Sequence, residues 1–357
     1  MRVALERARG LVLAHGWNST AYQILNPGIE HWFAPAGDAV VGFVRRGRVR
    51  VVAGAPICPA ERLAGVAAEF EEAGRAAGDG TCYFGAEARL ESIYRGAADH
   101  AMVLLGAQPV WHPARWASIV DARASLRAQL NRARNKGVAV TEWSRERATR
   151  HPALQRCLAE WLATRRLPPL HFMVEPDTLD RIFDRRVFVA SRGDEVLGFV
   201  VASPVPARRG WLIEQIVRGD AAPNGTGNLL VDATVRAVAM SGGEYLTLGL
   251  SPLSRRSGLR SPPMPLWLRT TLAWVRAHGR RFYNFEGLDS FKARFQPEWW
   301  EPVFAISTES RFSPRTLYAV AAAFTGRSPV LTVAGAGGHA LAQEARRAAR
   351  ALRRRTR

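Results

Sequence analysis

Two stretches carry the residues best suited to chemistry. The first, Arg218-Gly-Asp-Ala-Ala-Pro-Asn-Gly-Thr-Gly227, follows a strand pattern and precedes a helical one. Gly225 and Gly227 permit close backbone approach, so the N–H groups at the start of that helix suit a phosphate. A plain turn with Thr226 as the helix cap uses the same residues without any ligand. The second stretch, Arg281–Trp300, holds Tyr283, Glu286 and Lys292 around a turn at Gly287. Phe291, Phe295 and Trp299 are spaced for burial on one side, which leaves Lys292 and Arg294 to face a cleft or solvent. Only two of the 50 basic residues are lysine, Lys136 and Lys292. A lysine kept in an arginine-dominated chain marks a place for a compact ammonium rather than a planar fork. Chance retention is the simpler account of Lys136.

Other catalytic patterns are missing. The chain has no His-Glu-x-x-His, no Gly-x-Ser-x-Gly and no Walker loop, and its eight histidines lack metal-ligand spacing. The expectation is a metal-free reaction that relies on positioning and charge stabilisation. Cys58, Cys82 and Cys157 form no Cys-x-x-Cys pair and read as free thiols in a reducing compartment. Residues 1–15 lack a secretory pattern, and no run of about 18 apolar residues is present. A cytoplasmic protein, peripheral on the inner face of the cytoplasmic membrane, is the expected setting. The formal net charge of +19 points to a polyanionic partner, either nucleic acid or an anionic lipid surface. Arginine-rich codon usage alone also yields basic proteins.

These residues need a framework. In the first half, His31–Ala34, Val40–Arg46 and Arg48–Ala53 are predicted strands, with Arg46-Gly47 at a hairpin turn. A helix runs from Glu61 to about Gly74, and Thr81–Ala86 and Ala101–Gly106 are further strands. Ala122–Lys136, with five basic residues and no acid, is a basic amphipathic helix. The second half starts with strand Val138–Trp143, helix Pro152–Arg165 and a short helix Glu175–Ile182. Val187–Ser191, Val196–Ala202 and Trp211–Val217 form a meander, followed by the glycine loop and helix Asn228–Met240. Strand Tyr245–Leu250, helix Leu266–His278 and strand Glu301–Ser307 complete the half. This order is that of an N-acetyltransferase-like α/β fold, and the first half repeats a shorter version. The expected organisation is a tandem pair at 1–137 and 138–310, then a basic helical tail at 311–357. That tail holds ten arginines against one acid, Glu344, with seven arginines between Arg346 and Arg357.

Asp220-Ala-Ala-Pro-Asn-Gly-Thr226, Leu248-Gly-Leu-Ser-Pro-Leu-Ser254 and Arg281–Trp300, in this order, resemble the catalytic domain of phosphatidylglycerol lysyltransferases. The resemblance spans roughly Trp32–Ile306. It implies two N-acetyltransferase-like domains with a tunnel between them, and metal-free transfer of an amino acid from aminoacyl-tRNA to phosphatidylglycerol. It implies that Lys292 and Arg218 are catalytic. It implies further that Glu214, Asp220, Asn224, Gly225, Thr226, Tyr283 and Glu286 shape the substrate pocket. The family carries an acid three positions before the arginine; here that place is Gln215. Strand alternation sends Glu214 and Gln215 to opposite faces, so the general base is unassigned. The family's large N-terminal membrane domain is not part of this sequence.

The leading expectation is therefore transfer of an aminoacyl group to a hydroxyl or amine acceptor, with phosphatidylglycerol or another anionic membrane lipid first. Aminoacyl-tRNA serves as co-substrate and no further cofactor is expected. Two rivals use the same residues. A coenzyme-A-dependent N-acyltransferase would place acetyl-coenzyme A on the 220–227 loop. A non-catalytic nucleic-acid or membrane-surface binding protein needs only the charge. The tail is expected to dock the chain on anionic membrane.

Overall fold

The computed structural model describes residues 2–165, 170–278 and 284–326. The first half contains α1 (Arg2–His15), β1 (Glu30–Phe33), β2 (Val40–Arg46), β3 (Val49–Ala53), α2 (Leu63–Ala76), β4 (Gly80–Ala86), α3 (Ala88–Tyr94) and β5 (Ala101–Trp111). Two helices, α4 (Trp116–Asp121) and α5 (Ala124–Arg134), lead to β6 (Ala139–Trp143), α6 (Arg145–Ala148) and α7 (Pro152–Ala163). Then come β7 (Arg186–Arg192), β8 (Glu195–Val205), β9 (Gly210–Arg218), α8 (Thr226–Met240), β10 (Tyr245–Thr247) and β11 (Ser251–Pro252). The described chain closes with α9 (Leu266–His278), α10 (Phe285–Ala293), β12 (Trp299–Ser307) and α11 (Pro314–Thr325).

The α/β class expected from the sequence holds, and the strands form one sheet. Their order is β1-β2-β3-β4-β12-β5-β10-β9-β8-β7-β6, with β11 pairing β5 beside this path. The sheet therefore runs unbroken across the 137/138 boundary. Strand β12, read from sequence as the end of the second half, lies antiparallel between β4 and β5 of the first. Its alternation explains the placement: Phe304 and Ile306 enter the core under α2 and α3, while Ala305 enters the core on the other face. Gly47 and Arg48 both have positive φ (53° and 59°), so the β2–β3 hairpin turns at these two residues, one position beyond the expected Arg46-Gly47.

Four large cores and a small cluster of Val110, Val205, Leu212 and Tyr245 pack against the sheet. One packs α1, α9 and α11 through Ala8, Val12, Leu268, Ala319 and Val320. A second packs α4, α5 and α8 through Trp116, Leu126, Leu130, Leu230 and Val235. The other large cores lie under α2 with α3 and under α7. The three cysteines are buried and unpaired.

Several expectations are corrected. Glu175–Ile182 is not a helix; short 3-10 turns occupy Phe172–Val174 and Leu179–Arg181 instead. Pro176 lacks an N–H and holds Glu175 in extended backbone, and Gln215 takes both carbonyls with its amide at 2.8 Å. Strand Tyr245–Leu250 stops at Thr247, because Gly249 turns at a φ of 69°. Sequence periodicity overlooked α1, α3, α4 and α6, and Gly287, expected as a turn leading into helix, lies inside α10. The tail expected to begin at residue 311 starts with a packed helix, α11, whose Ala319, Val320 and Ala323 are core. The segments Val333–Gly338 and Leu341–Leu352 and the arginine cluster Arg346–Arg357 lie outside the described residues. No described helix is long and apolar enough to cross a membrane.

Candidate active site

Two parallel strands that part create the site. β10 pairs β9 only through Tyr245–Thr247 against Gly210–Leu212. At Gly249 the chain parts from β9 but stays on β5, which Leu246 and Thr247 already pair and where Ser251 pairs with Ala107. β9 continues through Ile213 to Arg218 with β8 on one side and, among the described residues, no strand on the other. The open edge leads directly into the glycine loop and the N-terminus of α8.

That loop is arranged around the helix start. Gly225, at a φ of 98°, is the N-cap, and no side chain caps the helix. Thr226, expected as the cap, is instead the first helical residue, buried, with its hydroxyl donating to Pro223 O at 2.7 Å. The free N–H groups of the first turn carry the positive end of the helix dipole. Arg218 is exposed at the end of β9 and its Cδ lies over Gly227. Asp220 and Asn224 are exposed on the same loop, which is pinned by Asp220 N–H to Glu160 at 3.0 Å. Helix α5 backs it: a side chain at Gly225 would meet Gln129 O at 2.6 Å. Arg218, Asp220, Asn224, Gly225 and Thr226 therefore form one group.

Lys292 stands at the other wall of the parting. It is 5% exposed, so of the cleft or solvent that its spacing suggested, open solvent is excluded. The reason is polar: Nζ donates to Gly249 O at 2.8 Å and Leu250 O at 2.9 Å, the carbonyls of the short link between β10 and β11 where the chain parts from β9. Burial pulls its pKa down to about 7, with Asp289 opposing. The acid that this lysine feels is thus Asp289, held by Arg256 at 2.7 Å, while Glu286 is exposed in the first turn of α10. Phe295 is buried, Phe291 half-buried and Trp299 exposed, so the apolar stripe is only partly core. Tyr283 lies outside the described residues. No hydrogen bond among the described residues joins Lys292 to the Arg218 loop.

Glu214 lies elsewhere, for a reason that strand alternation missed. Val201 pairs with Gln215 and Ala202 with Ile213, so Glu214 is the extra residue of a β-bulge in β9. The bulge breaks the two-residue period. Glu214 and Gln215 both reach the 172–185 segment: Gln215 bonds Thr178 at 3.1 Å, and Glu214 pairs with buried Arg185. Gln23 also donates to Glu214 at 2.7 Å and to Ser203 at 3.0 Å. Glu214 is thus a satisfied tie to the N-terminal segment.

A second buried network escaped sequence reading. Arg208 bonds Glu301 at 2.8 Å and approaches Glu87 at 3.3 Å, stacked between the rings of Trp17 and Tyr245. Gln108 bonds Glu301 at 3.1 Å and Tyr245 at 3.2 Å. Burial raises the Glu87 carboxyl despite Arg208. Its members come from separate segments of both halves, so no local motif could announce them.

The fold and the sequence have known relatives. The sequence profile described as phosphatidylglycerol lysyltransferase, C-terminal, matches residues 9–307. The C-terminal domain of a putative lysylphosphatidylglycerol synthetase from Agrobacterium fabrum superposes at a TM-score of 0.76 with 22% identity, covering 91% of this chain and 98% of that one. L-PGS from Bacillus licheniformis gives 0.72 and 20%, covering 93% and 95%. FemX shares the fold more distantly, at 0.55 and 8%, over 90% of this chain and 98% of its own. No curated protein sequence matches. With the profile extending from α1 through β12, the chain belongs to the phosphatidylglycerol lysyltransferase C-terminal family.

Proposed function

We propose that this protein transfers an aminoacyl group from aminoacyl-tRNA to an anionic membrane lipid, phosphatidylglycerol being the first candidate, where β9 and β10 part. The observation that carries the reading is Lys292: a buried amine, tied to two carbonyls at that parting, in a chain of this family. An aminoacyl ester is already activated, so the protein has to align the acceptor, move one proton and stabilise an oxyanion.

Lys292 has the capacity for the proton. As a neutral amine it spends both N–H groups on Gly249 O and Leu250 O, which leaves its lone pair available. With a pKa of about 7, both forms are populated at neutral pH. In the step we propose, the lipid hydroxyl oxygen bonds to the ester carbonyl carbon as its proton passes to Nζ. The bond to the ribose oxygen then breaks, and that oxygen takes the proton. Arg218 and the α8 N-terminus attract the phosphates of either substrate. The lysine thereby answers for the base that Gln215 cannot supply.

The test is incubation with a full set of charged tRNAs and phosphatidylglycerol vesicles, following labelled amino acid into the organic phase. Labelled lipid supports the reading, and its absence with all twenty amino acids sinks it. The uncapped α8 start favours one second reading, coenzyme-A-dependent acyl transfer with the pyrophosphate at Gly225–Gly227. Calorimetry with acetyl-coenzyme A separates the two: micromolar binding supports the second, none the first.

A further inference from the structure

We propose that residues 253–278, the turn after β11 together with α9, form the face by which the protein docks on an anionic bilayer. This inference deepens the lipid-acceptor reading above and rests on it for its biological sense. Three observations carry it.

The first is exposed apolar surface. Leu259 is 52% exposed, Leu266 63% and Trp274 58%. Leu266 and Trp274 are eight residues apart, which places them on one side of α9. The opposite side is anchored: Leu268 is 1% exposed in the core, with Trp267 and Leu272 packed against it. The helix is therefore fixed to the protein while presenting leucine and tryptophan outward.

The second is charge. The 253–278 segment has five arginines and no acid. Arg255, Arg260 and Arg269 are exposed beside the apolar residues, whereas Arg256 is taken by Asp289 and Arg276 by Leu253 O at 2.7 Å. Arginine around exposed leucine and tryptophan is what an interfacial helix requires: the apolar side chains enter the acyl boundary and the guanidinium groups meet lipid phosphates. A nucleic acid backbone would satisfy the arginines but leave the leucines in water. The combination selects lipid.

The third is position. The segment begins immediately after Gly249 and Leu250, whose carbonyls hold Lys292, and Arg256 connects it to Asp289 on α10. A bilayer against this face would deliver headgroups beside the buried amine.

Vesicle sedimentation of the full chain tests the face without any turnover. The probes are vesicles of phosphatidylcholine alone and of phosphatidylcholine with phosphatidylglycerol. Wild type should pellet with the anionic vesicles. The variant carrying Leu266→Ser and Trp274→Ser should lose at least about tenfold in partitioning with an unchanged melting temperature. A variant carrying Arg260→Gln and Arg269→Gln should lose a similar factor at low salt and less at high salt. Brominated phosphatidylglycerol should quench wild-type tryptophan fluorescence more than that of Trp274→Phe. Equal pelleting of both double variants with wild type, or equal quenching of Trp274→Phe, overturns the docking face. Vesicle binding that both double variants weaken, by a wild-type protein that transfers no amino acid, supports the face and sinks the proposed reaction instead.

Discussion

Lys292 and Gly249 are joined across 43 residues by a hydrogen bond of 2.8 Å, and through it α10 is fastened to the point where β10 abandons β9. The bond fixes where the amine stands, and burial fixes how readily it gives up its proton. Replacement by arginine separates the two properties. Lys292→Arg keeps a cation but cannot lose a proton near neutrality. If the amine moves the proton, transfer by this variant should fall by about 10²- to 10⁴-fold, and the wild-type rate should rise with pH through about 7. Wild-type-like activity in Lys292→Arg would leave the residue with a purely electrostatic role.

The same shift has a consequence for stability, read without substrate. The folded-state pKa of Lys292 lies below its unfolded value of about 10.5, so between roughly pH 7 and 10.5 the unfolded chain binds more protons. Stability from this group therefore rises with pH across that window, by up to about 1.4 kcal/mol per unit. Below pH 7 the full cost of a buried ammonium is present. Lys292→Met should gain melting temperature relative to wild type at pH 6 and lose that advantage by pH 10. A difference that stays flat from pH 6 to 10 contradicts the shifted pKa.

Much of this was legible in the sequence. The meander and the glycine loop came from local patterns, because each depends on neighbours within a few residues, whereas Lys292 was singled out by its rarity among the basic residues and by the family resemblance. Glu214 was misread since a bulge is invisible to a two-residue period, and Thr226 since cap and first helical residue differ by one position. The Arg208 network and the insertion of β12 between β4 and β5 depend on contacts between distant segments, and no local spacing encodes them. The α1 helix was overlooked because its arginines obscure a narrow apolar stripe; Ala8 and Val12 are its fully buried residues, with Leu5 and Leu11 packed against the same core.

Gly106 tests whether the parting of the strands positions the lysine. Its φ is 153°, and a Cβ there would lie 2.2 Å from Ser251 O. Gly106→Ala must push β11 away from β5 and with it the Gly249–Leu250 carbonyls. Transfer activity should drop at least about tenfold, with a stability loss of about 1–3 kcal/mol in urea unfolding. A fully active, fully stable variant would show that β11 does not hold the amine in place.

The Arg185–Glu214 pair links the second half to the N-terminal segment, with side chains 2% and 10% exposed. Arg185→Met leaves a buried carboxylate without its cation, at a cost of about 3–5 kcal/mol. The double variant, with Glu214→Leu added, should recover more than half of that, since no unpaired charge then remains. Urea midpoints of the two variants decide it. A double variant as unstable as the single would mean that Gln23 and Asn26, which also bond this pair, carry most of the tie.

The basic tail divides at Gly326. Before it, α11 is core: Phe324 packs on Phe84 and Phe172 with centroids 5.1 and 5.4 Å apart, and its carbonyl accepts from His171 N–H at 2.9 Å. Glu309 also receives Ser313 and Thr316 hydroxyls at 2.8 and 3.0 Å. A chain ending at Ser310 should therefore lose several kcal/mol, about 2 for each large buried side chain removed, and aggregate or melt early. A chain ending at Gly326 keeps α11 and these contacts. It also sheds eight arginines and one acid, so vesicle affinity measured at low salt should fall while the part due to Leu266 and Trp274 persists. Equal vesicle affinity for full length and the Gly326 chain would remove residues 327–357 from membrane attraction altogether and leave it to the folded face.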